Sequence, residues 1–159
     1  MTGREKGSTS LAVTLSPDVT AASGMDALAF QKWLGAVHAL SHSIGALYKT
    51  QLGLTNAVLM PYVLQFNRFV VEERLGRLAG FAGLPQASFD ALLRCAIQLR
   101  EQLGIPYSLR DLGVHDDQLD RIAMMAEADP SAGGNPLPFR AAEACKLLTW
   151  AMAGELPAQ

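Results

Sequence analysis

An excess of charge of either sign is missing from this 159-residue sequence, in which 13 basic residues stand against 15 acidic ones and the formal net charge is −2. A chain without a broad positive surface cannot neutralise many phosphates or anionic lipid headgroups. We therefore expect neither nucleic acid nor a membrane as a partner.

Long hydrophobic runs are also missing. The most apolar region is interrupted by His38, Ser41, His42 and Ser43, so no segment reaches the roughly 18 apolar residues of a membrane span. The first ten residues carry charge but are not followed by the apolar core and cleavage site of a signal peptide. These absences predict a cytoplasmic protein.

Cysteine is scarce, and the two thiols, Cys95 and Cys145, are isolated and form no CxxC pattern. Such a pattern is more typical of a reducing compartment than of a disulfide framework. We expect both cysteines to fill the core.

Helix-forming composition dominates what is present. Half of the residues are hydrophobic, only 18% are charged, and alanine and leucine are abundant. Residues 11–15 form the only strand-like run. The sequence therefore predicts an all-α fold, with a flexible tail at residues 1–10 and a single helical-bundle domain of about six to eight helices over residues 11–159.

Apolar periodicity and helix-stop residues divide this domain. Ser16 and Pro17 form a helix start, and apolar spacings of three and four over residues 25–48 indicate a buried helix in which Gly35 is a potential turn. A second helix is predicted from about residue 55 to 66, with Pro61 inside it to kink the axis. Further helical segments are predicted at residues 68–81, 88–103, 108–112, 116–127 and 140–153, separated by turns that contain Gly or Pro.

Two histidines, His38 and His42, stand four residues apart and therefore share one face of a helix, where they could hold a metal ion or act on one reacting group. The alternative is structural, because an HxxxH pattern without a third ligand at fixed spacing also suits hydrogen-bonded histidines in a core or a subunit contact. His115, in a polar GVHDD context, is expected at a surface helix start.

Together with the HxxxH pattern, GALY at residues 45–48 and NAVLMPYVLQFN at 56–67 resemble segments of the iron-containing alcohol dehydrogenases, whose metal-binding half is helical. In that family a His-x-x-x-His helix precedes a Gly-Ala-aromatic-Tyr segment, a Pro-His-Gly tripeptide and a helix close to ANAxxLPHVLxFN. The matching residues here are His38, His42, residues 45–48 (GALY), 51–53 (QLG) and 56–67 (NAVLMPYVLQFN). Three flanking segments are also similar to family motifs: VTAASGMDAL at 19–28, GIPYSLRDLGV at 104–114, and GGNP at 133–136, followed by Leu137 where the family usually has arginine. The resemblance covers about residues 11–153 and implies the fold of the family's C-terminal α domain.

The resemblance also implies a divalent metal site, for iron or zinc, whose four ligand positions correspond to Asp26, Phe30, His38 and Leu52. Phe30 and Leu52 have no lone pair to donate, so Asp26 and His38 remain as the metal-ligand candidates. The family has a longer helical stretch between the GMDAL segment and the HxxxH helix, where only residues 29–37 intervene here. His42 corresponds to the family's second, substrate-proximal histidine and is the candidate catalytic residue, as a proton carrier.

Two functional hypotheses follow from this resemblance. In the first, the chain is a pseudoenzyme with a degraded metal site, binds no cofactor by itself and serves as a binding, regulatory or assembly module. In the alternative, it is part of an NAD(P)- and metal-dependent alcohol or aldehyde oxidoreductase that works with a separate nucleotide-binding chain, because no glycine-rich nucleotide loop occurs in these 159 residues. A remnant that merely folds is a third possibility. The expected partner is a second copy, giving a homo-oligomer, or a separate protein chain.

Overall fold

The computed structural model describes residues 35–157, and every regular element in that range is helical. Five α-helices and three short 3-10 helices form this range, so the predicted all-α class is confirmed, and the five α-helices described are slightly fewer than the predicted six to eight. The α-helices are α1 (Gly35–Tyr48), α2 (Leu52–Phe81), α3 (Phe89–Gln102), α4 (Leu119–Ala128) and α5 (Ala141–Ala153), and the 3-10 helices are Arg110–Leu112, Asp116–Gln118 and Pro130–Gly134.

Several predictions lie outside the described residues. They are the tail at residues 1–10, the strand-like run at 11–15, the helix start at Ser16, the first part of the helix predicted at 25–48, and the positions Asp26 and Phe30.

The long helix α2 corrects the prediction of two separate helices at residues 55–66 and 68–81. It runs for 30 residues without interruption and contains Pro61. No glycine or proline lies between Phe66 and Arg68, and both sides of that boundary pack against neighbouring helices, so nothing stops the helix there. Pro61 has no N–H to donate to the carbonyl oxygen four residues earlier, so one hydrogen bond of the helix is missing there. One turn away, the buried guanidinium of Arg100 donates to the carbonyl of Val58 at 3.5 Å.

The ends of the helices follow local side-chain chemistry. Gln51 precedes α2, and its side-chain oxygen accepts a hydrogen bond from the N–H of Leu54. Ser88 precedes α3, and its hydroxyl accepts from the N–H of Ala91 at 3.2 Å. The connection from α1 to α2 needs a left-handed residue, and Lys49 adopts it with φ of 55°. These caps place the start of α2 directly after the HxxxH helix.

The helix α1 lies at the centre of the fold. It packs against α2, α4 and the 3-10 helix Pro130–Gly134, while α2 packs against α3 and α5, and α4 against α5. The largest fully buried side chains come from four of the α-helices and one loop, and they include Leu40, Ile44, Leu59, Tyr62, Leu109, Ile122, Leu147 and Leu148. The HxxxH pattern therefore lies on the most enclosed helix of the described region.

The two cysteines do not fill the core, so that prediction was wrong. Cys95 is exposed on the outer face of α3, and Cys145 is only partly buried. The Sγ atom of Cys145 lies 3.8 Å from a carboxylate oxygen of Asp120. Burial, together with this carboxylate, raises the pKa of the Cys145 thiol. Composition alone does not report which side of its helix faces the core, and this decides the exposure of each thiol.

Among residues 35–157, no helix combines the length and the apolar character needed to cross a membrane.

Candidate functional site

The two histidines of the HxxxH pattern lie on the same face of α1, as their spacing predicted. Their ring centroids are 5.9 Å apart, and the rings meet edge to face at 65°. His38 is buried, with 8% of its surface exposed, whereas 43% of the His42 side chain is exposed. The two imidazoles therefore have different environments, one enclosed in the bundle and the other open to solvent.

His42 is paired with a carboxylate that the sequence had not indicated. Its Nδ1 atom lies 3.0 Å from a carboxylate oxygen of Asp129, 87 residues later in the chain. In a neutral imidazole, a proton on Nδ1 would be donated to this carboxylate and would leave Nε2 as the basic nitrogen. A carboxylate in this position orients the imidazole ring.

Asp129 is held by more than this histidine. It is the residue before the 3-10 helix Pro130–Gly134, and its other carboxylate oxygen accepts a hydrogen bond of 2.7 Å from the N–H of Ser131. Burial opposes ionisation, but the hydrogen bonds from Ser131 and His42 outweigh it and lower the pKa of Asp129. The carboxylate is therefore charged at neutral pH and fixes the start of the connection between α4 and α5.

The same connection approaches the first residue of α1 very closely. A Cβ atom added at Gly35 would lie 2.1 Å from the carbonyl oxygen of Ser131 and 2.7 Å from the nitrogen of Asn135. Contacts this short do not occur between real Cβ atoms and backbone, so only glycine permits this approach. Gly35, which the sequence suggested as a turn, thus serves as a contact point with the 129–135 connection.

Two asparagines fasten the other end of this connection to α2. The Asn67 amide donates to the Asn135 side-chain oxygen at 2.9 Å, and Asn135 donates back to Asn67 at the same distance. The Asn135 oxygen also accepts from the N–H of Ala36 at 3.4 Å, and its amide donates to the carbonyl of Leu137 at 3.0 Å. Asn67 is fully buried. The ends of two sequence motifs, FN and GGNP, therefore meet in one reciprocal amide pair.

Leu52, at a position where the resemblance implies a metal ligand, is the first residue of α2, with 40% of its surface exposed. Gln51 and Leu52 replace the Pro-His of the family tripeptide, and Gln51 instead caps the helix. A leucine side chain offers no electron pair to a cation.

The described residues do not supply the donor set of such a metal site. In residues 35–157 there is no group of three or more His, Cys, Asp or Glu side chains placed to hold one ion. His38 and His42 could offer two imidazoles, but the Nδ1 atom of His42 is engaged by Asp129. Asp26, the other metal-ligand candidate, lies outside the described residues.

His115 agrees with its predicted place at a surface helix start. It is exposed and directly precedes the 3-10 helix Asp116–Gln118. Its backbone N–H donates to the hydroxyl of Tyr48 at 3.2 Å, and the two rings lie 6.1 Å apart. This contact joins the end of α1 to the start of α4.

A buried arginine beside two tyrosines was missed from the sequence. Arg100 is 3% exposed, and its guanidinium lies 4.6 Å from the ring centroid of Tyr107 and 5.8 Å from that of Tyr62. The Tyr62 hydroxyl donates to the carbonyl of Tyr107 at 2.5 Å. The sequence signal that could have pointed to this cluster was Tyr62, because it occupies the position at which the family motif has histidine. The cluster joins α2 and α3 to the GIPYSL segment and takes no part in the HxxxH site.

The comparisons with known proteins agree with this fold. The family model described as "Fe-containing alcohol dehydrogenase family, C-terminal" matches residues 14–152. Lactaldehyde reductase of Escherichia coli strain K12 is 33% identical over 109 residues, which are 65% of this chain and 28% of that protein. The 4-hydroxybutyrate dehydrogenase of Cupriavidus necator is 36% identical over 144 residues, which are 85% of this chain and 37% of that protein.

Solved structures give the same result. A 1,3-propanediol oxidoreductase superposes with a TM-score of 0.69 at 31% identity, over 74% of this chain and 32% of that one. An alcohol dehydrogenase from Oenococcus oeni gives 0.66 at 30% identity, over 72% and 32%. The chain thus spans about a third of the length of these relatives. Because the family model covers most of the sequence, the chain belongs to the iron-containing alcohol dehydrogenase family, and it corresponds to the family's C-terminal helical domain.

Proposed function

We propose that this chain is a non-catalytic helical module, which keeps the family's C-terminal fold for binding, regulation or assembly and does not carry out metal-dependent hydride transfer by itself. The observation that carries the proposal is Leu52. It stands at a family ligand position, at the start of α2, with a side chain that cannot coordinate a cation.

The environment of the HxxxH residues supports a structural use of this face. His42 is bonded to Asp129, which caps the connection between α4 and α5, and the same connection contacts Gly35. His38 is nearly enclosed. On this view His42 fastens the 129–135 connection to α1, as a satisfied polar side chain of the fold.

A second candidate function is supported by the His42–Asp129 pair itself. A carboxylate-oriented imidazole with 43% of its side chain exposed is suited to accept and return a proton. In this alternative the chain forms part of an NAD(P)- and metal-dependent alcohol or aldehyde oxidoreductase, and a separate chain binds the nucleotide. His42 would then be the proton carrier, and Asp26 and His38 would be the remaining metal ligands.

Metal analysis of the purified 159-residue chain distinguishes the two proposals. After dialysis, we expect less than stoichiometric iron and zinc by elemental analysis. We also expect no thermal shift with Fe²⁺, Zn²⁺, NAD⁺, NADH or NADPH. One equivalent of iron or zinc retained by the wild-type chain would overturn the non-catalytic module. Turnover of an alcohol on addition of a nucleotide-binding chain from a relative would establish the alternative.

A restoration variant sharpens this test. Leu52→His returns an imidazole to the ligand position, and Leu52→Gln changes the same exposed position without adding a strong zinc ligand. If Leu52 is the reason for weak binding, the histidine variant binds Zn²⁺ more tightly than both the wild type and the glutamine variant. Equal affinity in all three proteins would remove Leu52 as the support for the proposal.

A further inference from the structure

The second half of α2 carries an exposed ridge of four side chains spaced four residues apart. Phe69 and Phe81, at its ends, are 92% and 89% exposed. Between them lie Glu73 and Arg77, whose side chains are 86% and 66% exposed and whose charged groups are 3.4 Å apart. We call these four residues the α2 ridge.

The opposite side of the same helical segment faces the core. Val71, Leu75 and Ala79 are buried, so this part of α2 is held by the bundle on one side and is open on the other. Two phenylalanines that are almost completely exposed forgo the stabilisation of burying large aromatic surface. No contact in the described fold covers them, since both are open to solvent in the presence of every residue from 35 to 157.

Followed from either end, the α2 ridge has an aromatic residue, two charged residues and an aromatic residue, and only the order of the two charges differs. Its order is aromatic, acidic, basic, aromatic, at residues 69, 73, 77 and 81. A second α2 helix, related by a two-fold axis that crosses the exposed ridge midway between Glu73 and Arg77, would place Phe69 against the second copy's Phe81. The same operation would place Glu73 against the second copy's Arg77. Rows of residues spaced by four are the ridges that pack helices together, and a two-fold axis makes such a surface self-complementary.

We propose that the α2 ridge is a homodimer interface, occupied by the α2 ridge of a second copy of this chain. Charge complementarity favours this occupant, because the operation that pairs the aromatic residues also converts two intrachain ion pairs into a network of four alternating charges. The proposal locates the self-association expected from the sequence. It goes beyond the proposed function, because it holds whether or not the HxxxH face binds a metal.

A shallow groove beside the ridge offers space for the second copy. Its volume is about 380 Å³, and it lies between Glu73 and Arg77 on α2 and Ala87, Ser88 and Phe89 at the start of α3. An interface made of one ridge per copy falls at the small end of specific protein contacts, below about 1,200 Å² in total. The expected dimer is therefore of micromolar affinity and dissociates on dilution.

The test exchanges charges on the 159-residue chain and measures mass by light scattering and sedimentation velocity across the micromolar range. Glu73→Arg gives a ridge with two positive charges, and Arg77→Glu gives one with two negative charges. Each variant alone should dimerise at least about tenfold more weakly than the wild type. An equimolar mixture should restore dimers that contain one copy of each variant, and the double exchange E73R/R77E should restore the homodimer.

Apolar variants and matched controls complete the experiment. Phe69→Ser with Phe81→Ser should leave a monomer with the wild-type far-ultraviolet circular dichroism. Met124→Ser, at another exposed apolar position on α4, and Asp116→Arg, in an exposed ion pair with Arg110, should leave the dimer unchanged. Three results would overturn the proposal: a wild-type chain that stays monomeric, a dimer that survives the ridge substitutions, or a mixture of E73R and R77E that forms no mixed dimer. A monomeric wild-type chain would favour a different protein as the partner that covers the ridge.

Discussion

The reciprocal amide pair between Asn67 and Asn135 allows a quantitative prediction about stability. When one asparagine is removed, the other loses a different share of its hydrogen bonds. Asn67→Ala removes both mutual hydrogen bonds, but Asn135 keeps the N–H of Ala36 and the carbonyl of Leu137 as partners. At about 1 kcal/mol net for each bond, the expected loss of unfolding free energy is about 2 kcal/mol.

The reverse substitution should cost more. Asn135→Ala leaves the amide of the fully buried Asn67 without a partner and also frees the N–H of Ala36. Each unsatisfied buried group costs about 1–3 kcal/mol, so we expect a loss of about 3 kcal/mol or more. In the double variant the mutual bonds are lost only once. Its loss should therefore be about 2 kcal/mol smaller than the sum of the two single losses.

The assay is urea unfolding of the four proteins, followed by circular dichroism at one protein concentration, with the midpoint and slope compared for each. A fixed concentration keeps any self-association from shifting the midpoints. If Asn67→Ala costs as much as Asn135→Ala, or if the two losses are additive, the amide pair does not fasten the 129–135 connection to α2 in the way described.

Three further predictions concern single positions. Gly35→Ala should lower the unfolding free energy by about 2–3 kcal/mol in the same urea assay, because the new Cβ overlaps backbone atoms of the 129–135 connection; Gly133→Ala, where a Cβ meets nothing within 4 Å, is the control and should be near neutral. Ser88→Ala should cost about 1 kcal/mol by removing the cap of α3, and Ser88→Asp should retain most of it; equal losses would contradict a capping role. The lowered pKa of Asp129 means that its contribution is present above the unfolded value near 4 and is lost as pH falls through the folded value. Thermal melts from pH 6 to pH 3 should therefore fall less steeply for Asp129→Asn than for the wild type, and parallel curves would show that this carboxylate contributes nothing to acid sensitivity.

Much of the helical layout could be predicted from local sequence. The segments predicted at residues 88–103 and 140–153 correspond to α3, Phe89–Gln102, and α5, Ala141–Ala153. Caps, turn glycines and apolar spacing act within one or two turns of the chain, so a short stretch contains the information. The break predicted within α2 was wrong because no glycine or proline at residues 66–68 supports it and the helix packs against its neighbours on both sides of that point.

Only part of the candidate site could be predicted from the sequence. The spacing of His38 and His42 placed both rings on one face, as the structure confirms. Asp129 lies between the helices predicted at 116–127 and 140–153, and nothing in its sequence neighbourhood indicates a contact with a histidine 87 residues away. The exposure of Cys95 and the burial of Arg100 were likewise outside the reach of composition, since each depends on which side of α3 faces the other helices.

The sequence by itself determined the helical class and the family, because these depend on residue identity and on spacing within single helices. Only the tertiary structure decided that the GGNP connection folds over α1, that Asn67 pairs with Asn135, and that residues 35–157 leave the α2 ridge uncovered. Those features depend on contacts between residues far apart in the chain, whose geometry is set when the bundle buries its apolar faces together.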